Sequence, residues 1–168
     1  MISLRLAILK DLVEALRQVS RQAGYNTDLG QIVREYQGTD PDEAEGYFGA
    51  GDHGAVVELR SGSRAEASGY TTADLQFYVH VWARFTPSRA GSISALEALE
   101  PAIVDVERAV LVDDSRGGLA VGTQPESFTI TEDGDGKSVV WCHYVVRVQY
   151  QHDYEDPRAL GLLSGEES

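Results

Sequence analysis

Cysteine, basic residues and long apolar runs are all scarce in this chain of 168 residues. The single cysteine, Cys142, excludes an internal disulfide, and its place in an apolar run indicates a small buried side chain rather than a nucleophile. Lysine and arginine together number 14 against 27 aspartates and glutamates, which gives a net charge of −13. That balance argues against direct nucleic-acid binding, which needs a basic face. It suits a soluble protein, or one whose surface repels a polyanion.

No apolar run is long enough for export or for spanning a bilayer, and residues 1–16 carry several charged side chains. We therefore expect synthesis in a reducing cytoplasm. The hydrophobic fraction of 42% and the charged fraction of 24% are those of a globular protein. We expect one domain over residues 1–160, with an acidic loop insertion at 38–54 and a flexible C-terminal tail at 161–168.

Motifs for catalysis and for phosphate binding are also missing. The glycine-rich stretches at 46–54 and 117–118 lack the Lys and Ser/Thr of a phosphate loop, and Ser61-Gly62-Ser63 has no nucleophile-elbow frame. The run from Asp133 to Gly136 is not a calcium loop, because its glycine arrives before the third acid. We therefore expect no enzymatic activity, no cofactor and no metal.

A strand over residues 73–85 is the segment around which we expect the chain to fold. Its apolar side chains occupy every second position: Leu75, Phe77, Val79, Val81, Ala83 and Phe85. This period of two predicts a long strand with one face on a core. The other face carries Tyr78, His80 and Trp82. Rings on an outer face are covered either by more of the same chain or by a partner.

The remaining pattern predicts two amphipathic helices and three or four further strands. Helices are expected at 4–23 and 94–112, and strands at 31–36, 55–60, 119–131 and 138–152. Residues 61–63 are expected to form a turn, and residues 132–137 the tip of a hairpin. We therefore predict an α+β fold of order α-β-β-β-α-β-β, an antiparallel sheet of about four to five strands with two helices packed on one face.

The second helix has a distinct start and an internal proline. Ser94 and Glu97 have the spacing of a capping box, and Pro101 is expected to kink the helix. The predicted buried stripe consists of Leu96, Leu99, Ile103, Val106 and Val110.

Two histidines are predicted to face each other across the two long strands. His80 lies on the outer face of the first strand, and Trp141 and His143 lie on the outer face of the last. With Asp74 or Glu126, the histidines would form a metal site. This is the weaker interpretation, because two unlinked histidines have no recognised ligand spacing.

The turn after the first helix is similar to one found in the tail terminator proteins of long-tailed bacteriophages. It reads Ala23-Gly24-Tyr25-Asn26-Thr27-Asp28-Leu29-Gly30, like that family's glycine-tyrosine-x-threonine-aspartate-x-glycine turn. The order of elements also resembles the family, with a helix between the third strand and a final hairpin. The segment from Tyr150 to Pro157, a tyrosine strand followed by an Asp-Pro step, is a third likeness. Residues 86–89 depart from it, because they lack the expected His-Pro.

The resemblance implies a structural virion protein of the phage tail or neck, without catalysis. It implies a hexameric ring that caps the head-proximal end of the tail tube, stops tube polymerisation and joins the tail to the head-completion complex. The implied partners are other copies of the chain, the tail tube protein, and head-completion or connector proteins. DNA would pass through an acidic lumen without specific binding, no membrane would take part, and assembly would occur in the host cytoplasm.

Two groups of residues follow as candidate contact sites. The candidate subunit interface comprises Tyr78, His80, Trp82, Trp141 and His143. The candidate lumen or neighbouring-ring contacts comprise Asp40, Asp42, Glu43, Glu45, Glu132, Asp133 and Asp135. Two alternatives stay open: a head-completion, stopper or other minor tail protein of the neck, and a small-molecule-binding module or enzyme that uses the His80/His143 sheet face.

Overall fold

A computed structural model describes residues 2–36, 38, 51–67, 69–85, 94–132, 139–153 and 156. The helices are α1 (Leu4–Arg17) and α2 (Ala95–Val112), and the strands are β1 (Val33–Glu35), β2 (His53–Ala67), β3 (Tyr70–Arg84), β4 (Gly122–Glu132) and β5 (Val139–Asp153). Short 3-10 helices occupy Arg21–Ala23 and Leu29–Ile32. The predicted α+β class and the predicted order of elements are confirmed. The predicted tail at 161–168 and most of the predicted acidic loop at 38–54 lie outside the described residues.

The strands form one mixed sheet in the order β1-β2-β3-β5-β4. The pairs β2–β3, β3–β5 and β4–β5 are antiparallel, as predicted. Strand β1 is parallel to β2, so the prediction of a wholly antiparallel sheet was wrong for this short strand. A parallel pair needs a long connection, and the segment between Glu35 and His53 is long enough to supply it.

The hairpin formed by β2 and β3 is longer than predicted. Its turn contains Gly69, whose φ of 83° is in the left-handed region that favours glycine. Ser61 and Gly62, predicted to form the turn, instead stay paired with Gln76 and Leu75. The pairing shifts register just before Ser61, as in a β-bulge, so a run of small residues bends the strand here without ending it.

Helix α1 ends at Arg17 rather than at residue 23. The Ser20 backbone is extended, and its hydroxyl accepts a hydrogen bond from the Ala23 amide at 3.2 Å. Serine is a strong N-cap, so it begins a separate 3-10 turn at this point. Gly24 ends that turn with φ 85°.

Helix α2 begins at Ala95 and continues through Pro101. The capping box is confirmed: the Glu97 amide donates to Ser94 Oγ at 3.2 Å, and the Ser94 amide donates to Glu97 Oε2 at 2.8 Å. No helix in the described part of the chain is long and apolar enough to cross a membrane.

The core lies between the two helices and one face of the sheet. Its sheet side is built from alternate residues of the long strands, which confirms the period of two. Fully buried members include Ile8, Leu12, Leu16, Leu99, Val106, Val110, Phe77, Val79, Val81, Val146 and Val148. Cys142 belongs to this core, and burial raises the pKa of its thiol to about 12. The thiol is therefore a small apolar group, as predicted.

One buried carboxylate ties helix α2 to the turn that follows α1. Asp105 Oδ1 accepts hydrogen bonds from the backbone and side-chain nitrogens of Asn26, at 3.0 and 2.9 Å. Its Oδ2 accepts from the backbone nitrogen and hydroxyl of Thr27, at 2.7 and 2.8 Å. Arg108 adds a hydrogen bond to the Gly24 carbonyl and lies over the Tyr25 ring. The turn is therefore held by α2 rather than by its own backbone alone.

Replacing Asp105 with alanine should lower the free energy of unfolding by about 3 kcal/mol, because the buried donors of Thr27 lose their acceptor and the two hydrogen bonds from Asn26 are lost as well. Urea denaturation measures this change. Asp114→Ala, at an exposed position two residues beyond α2, removes an equal charge and should change stability by less than about 0.5 kcal/mol. Equal effects of the two substitutions would contradict a structural role for the Asp105 contacts.

Candidate functional site

The five residues predicted as a subunit interface come together on the face of the sheet opposite to the helices. His80 on β3 is paired directly with His143 on β5, and Trp82 with Trp141. The Tyr78 and His80 ring centroids are 5.9 Å apart, and the Trp141 and His143 rings are stacked at 6.4 Å. These five side chains form one continuous group, here named the ring cluster.

A chain of polar contacts crosses three strands at the ring cluster. His80 Nδ1 is 2.7 Å from His143 Nδ1, and His80 Nε2 is 2.9 Å from Glu58 Oε2. The predicted facing of the two histidines is therefore confirmed. An ionised carboxylate only accepts hydrogen bonds, so His80 Nε2 carries a proton. The contact between the two Nδ1 atoms needs a proton on one of the two rings, so both ring nitrogens of His80 are occupied.

Glu58 keeps its charge although only 8% of its surface is exposed. Burial by itself would raise the pKa of Glu58, but hydrogen bonds from His80 and Arg60 outweigh burial and hold that pKa below its usual value of 4.5. Arg60 Nη1 donates to Glu58 Oε1 at 2.8 Å, and its guanidinium lies 5.2 Å from the centre of the Tyr78 ring. The carboxylate thus joins β2 to the ring cluster.

Sequence reasoning missed Glu58 and named the wrong acids beside the histidines. Asp74 and Glu126 contact Arg147 instead, at 3.0 and 3.7 Å. Glu58 lies directly opposite Tyr78. This pairing follows from the β2–β3 register, which could not be predicted because a turn was expected at 61–63. Within the described ranges, no group of three or more His, Cys, Asp or Glu side chains is arranged to hold a metal.

Burial divides the ring cluster into two parts. Trp82 and Trp141 have no exposed surface, and His80 is 6% exposed. Gly54 lies against Trp82, and a Cβ there would come within 2.6 Å of the indole. The tryptophans therefore pack inside the single chain, whereas Tyr78 and His143 are only half-buried. The role of the cluster in subunit contacts stays a prediction, and Tyr78 and His143 have area left for it.

The predicted lumen acids are mostly outside the described residues. These are Asp40, Asp42, Glu43, Glu45, Asp133 and Asp135. Glu132 is the last residue of β4, at the start of the hairpin tip. Their assignment to a lumen or a neighbouring ring stays a prediction.

A second exposed surface, which the sequence reasoning missed, runs along α2 and the outer strand β4. It is named here the α2–β4 surface and consists of Leu96, Glu100, Val104, Glu107, Leu111 and Phe128. The three apolar side chains on the helix are 43% to 52% exposed, and Phe128 on β4 is 53% exposed. The Phe128 ring stacks on Tyr144, with centroids 6.1 Å apart. Leu96, predicted to lie in the buried stripe, is at the solvent side of the helix.

Comparisons with known proteins find a likeness among solved structures. No protein-family profile matches the chain, and no curated protein matches it. A chain of the solved structure described as "Virion of native gene transfer agent (GTA) particle" is similar, with a TM-score of 0.49 and 18% sequence identity. The likeness covers 82% of this chain and 90% of that chain.

Replacing Glu58 with glutamine should make stability less dependent on acid pH. The folded-state pKa of Glu58 is lowered, so its stabilising contribution is present above its unfolded pKa, near 4.5, and is lost as pH falls through the lower folded-state pKa. At pH 7 the variant should be less stable than the wild type by about 2 kcal/mol, and this difference should shrink below pH 4.5. Urea denaturation at several pH values measures it.

Glu66→Gln, at an exposed position on the same strand, removes the same charge and serves as the control. If the difference in free energy of unfolding between the wild type and Glu58→Gln stays constant from pH 7 to pH 3, the contacts of Glu58 do not depend on the charge of its carboxylate.

Proposed function

We propose that this chain is a structural protein of a phage-like virion, acting as a tail terminator in a hexameric ring. In this role the ring caps the head-proximal end of the tail tube, stops tube polymerisation and connects the tail to the head-completion complex. The protein performs no catalysis. Its role is to bind copies of itself and other rings through its surface.

The single observation that carries the proposal is the α2–β4 surface. Three apolar side chains on one stripe of α2 and one on β4 are about half exposed in the single chain. Contiguous exposed apolar side chains mark contact sites between proteins more often than free surface. Its strand, β4, is the last strand of the sheet, so a neighbouring copy has access to this part of the surface.

The terminator role within that class is supported by the turn that carries the family resemblance. Gly24 has φ 85°, and a Cβ at Gly30 would overlap the carbonyl oxygens of Arg17 and Val19. Both glycines are therefore required by the backbone path. Asn26 and Thr27 are the residues bound by the buried Asp105. The resemblance therefore rests on residues that have a defined structural role in the turn, not on composition.

The hydrogen bonds made by His80 weigh against the small-molecule or enzyme alternative. His80 is 6% exposed, and both of its ring nitrogens are in hydrogen bonds, with Glu58 and His143. A catalytic histidine needs a nitrogen within reach of its substrate. A head-completion or stopper protein remains the alternative in the same class, and it is distinguished by binding to the head ring rather than to the tail tube.

The first test is the mass of the purified chain by light scattering over a concentration series. The proposal predicts a particle of about six times 18.3 kDa and rings in negative stain. Added to polymerising tail tube protein, the chain should shorten the tubes and bind at one end. A monomer at every concentration, with tightly bound metal, would transfer support to the small-molecule alternative.

The second test concerns the acids proposed to line the lumen. Replacing Asp40, Asp42, Glu43 and Glu45 with their amides should slow DNA passage, because like charge keeps a polyanion off the wall. The rate of DNA release from assembled particles measures this. If rings fail to form before DNA passage is affected, these residues are contact elements between subunits instead.

A further inference from the structure

A basic groove crosses β2, β3 and β5 beside the first turn of α1. Arg5 from α1 and Arg64 from β2 line it, together with Leu59, Tyr150 and His152. Neither arginine forms an ion pair with any residue in the described part of the chain, although acids outnumber bases by 27 to 14 overall. Burial raises the pKa of Tyr150, and the positive charges of Arg5 and Arg64 partly offset this rise. Both arginines therefore lie close to the Tyr150 side chain.

The groove and the α2–β4 surface share no residue. Strand β4 is the last strand of the sheet, whereas the groove crosses β2, β3 and β5 at the part of β3 that carries Ala73 and Leu75. The groove is lined by residues such as Ala73 and Leu75, which lie on the same side of the sheet as the core. Both surfaces therefore belong to the helix-bearing side of the molecule.

The two surfaces are complementary in charge and in polarity. The α2–β4 surface presents the carboxylates of Glu100 and Glu107 between leucine and valine side chains. Besides Arg60, which is paired with Glu58, the groove presents the guanidinium groups of Arg5 and Arg64 beside Leu59, which is 38% exposed. Opposite charges flanked by apolar contacts favour association and set its orientation.

We infer that neighbouring copies join head to tail, with the α2–β4 surface of one copy seated in the basic groove of the next. The occupant of the groove is thus a second copy of this chain. Because the two surfaces are different and share no residue, each contact leaves one of each free, and repetition closes a ring when the rotation between copies permits. This inference rests on the ring of the proposed function and specifies which surfaces meet.

Charge reversal tests the pairing. Arg64→Glu and Glu100→Arg should each raise the protein concentration needed for assembly at least about tenfold, because each variant opposes like charges across the contact. Glu100 is chosen because Glu107 is hydrogen-bonded to Tyr144. An equal mixture of the two variants should assemble at the wild-type concentration, since every contact then joins opposite charges. Light scattering measures the mass in each case.

Matched controls are Arg17→Glu and Glu14→Arg, which make the same charge changes on the exposed side of α1 and should leave the assembly concentration unchanged. Thermal unfolding checks that each variant is folded. If reversal prevents folding, Arg64→Gln and Glu100→Gln replace the pair and should each weaken assembly without rescue on mixing.

The outcomes separate this inference from the proposed function. A wild-type chain that forms rings while the folded variants assemble normally, or fail to rescue each other, would overturn the pairing and leave the ring intact. A wild-type chain that remains monomeric throughout would overturn the ring and the pairing together. Rescue as dimers only would replace the head-to-tail arrangement with a two-fold one.

Discussion

The pairing of β3 with β5 is the constraint on which the rest of the structure depends. It runs without a register shift from the pair of Tyr70 and Asp153 to the pair of Arg84 and Val139. One face of this pairing supplies the sheet side of the core, and the other places His80 against His143 and Trp82 against Trp141. A slip of one residue would exchange the two faces, so a single register determines both the hydrophobic core and the ring cluster.

Two buried carboxylates join elements that are far apart in the sequence. Asp105 joins α2 to the turn after α1, and Glu58 joins β2 to His80. In a chain with a net charge of −13, the other acids among the described residues are exposed or partly buried, but these two are buried and fully bonded. An acid buried without partners would be strongly destabilising, so their donors are as necessary as the carboxylates themselves. The interior is thus held in one arrangement, and the surfaces proposed for assembly are presented by a rigid frame.

The sequence patterns that proved reliable are local. The alternation of Leu75, Phe77 and Val79 has a period that only a half-buried strand satisfies, and Ser94 with Glu97 forms a cap within one helical turn. The patterns that led to wrong predictions were also local, but each of them is compatible with two different structures. Ser61-Gly62-Ser63 suits a turn and equally a bulge, and Leu96 is in phase with a buried stripe although the helix places it at the solvent side. The neighbouring strand decides the first case, and the packing of α2 against the rest of the molecule decides the second.

From the sequence by itself came the class of fold, the order of the elements, the inert cysteine, the excess of acid and the facing histidines. Each of these follows from composition or from a period within one segment. Tertiary structure alone decided that Asp105 binds Asn26, which lies 79 residues earlier, and that Glu58 is the acid beside His80. It also decided that β1 is parallel and that the α2–β4 surface and the basic groove are separate surfaces that share no residue. The physical reason is that these features depend on the register and packing of segments far apart in the chain, which no local periodicity encodes.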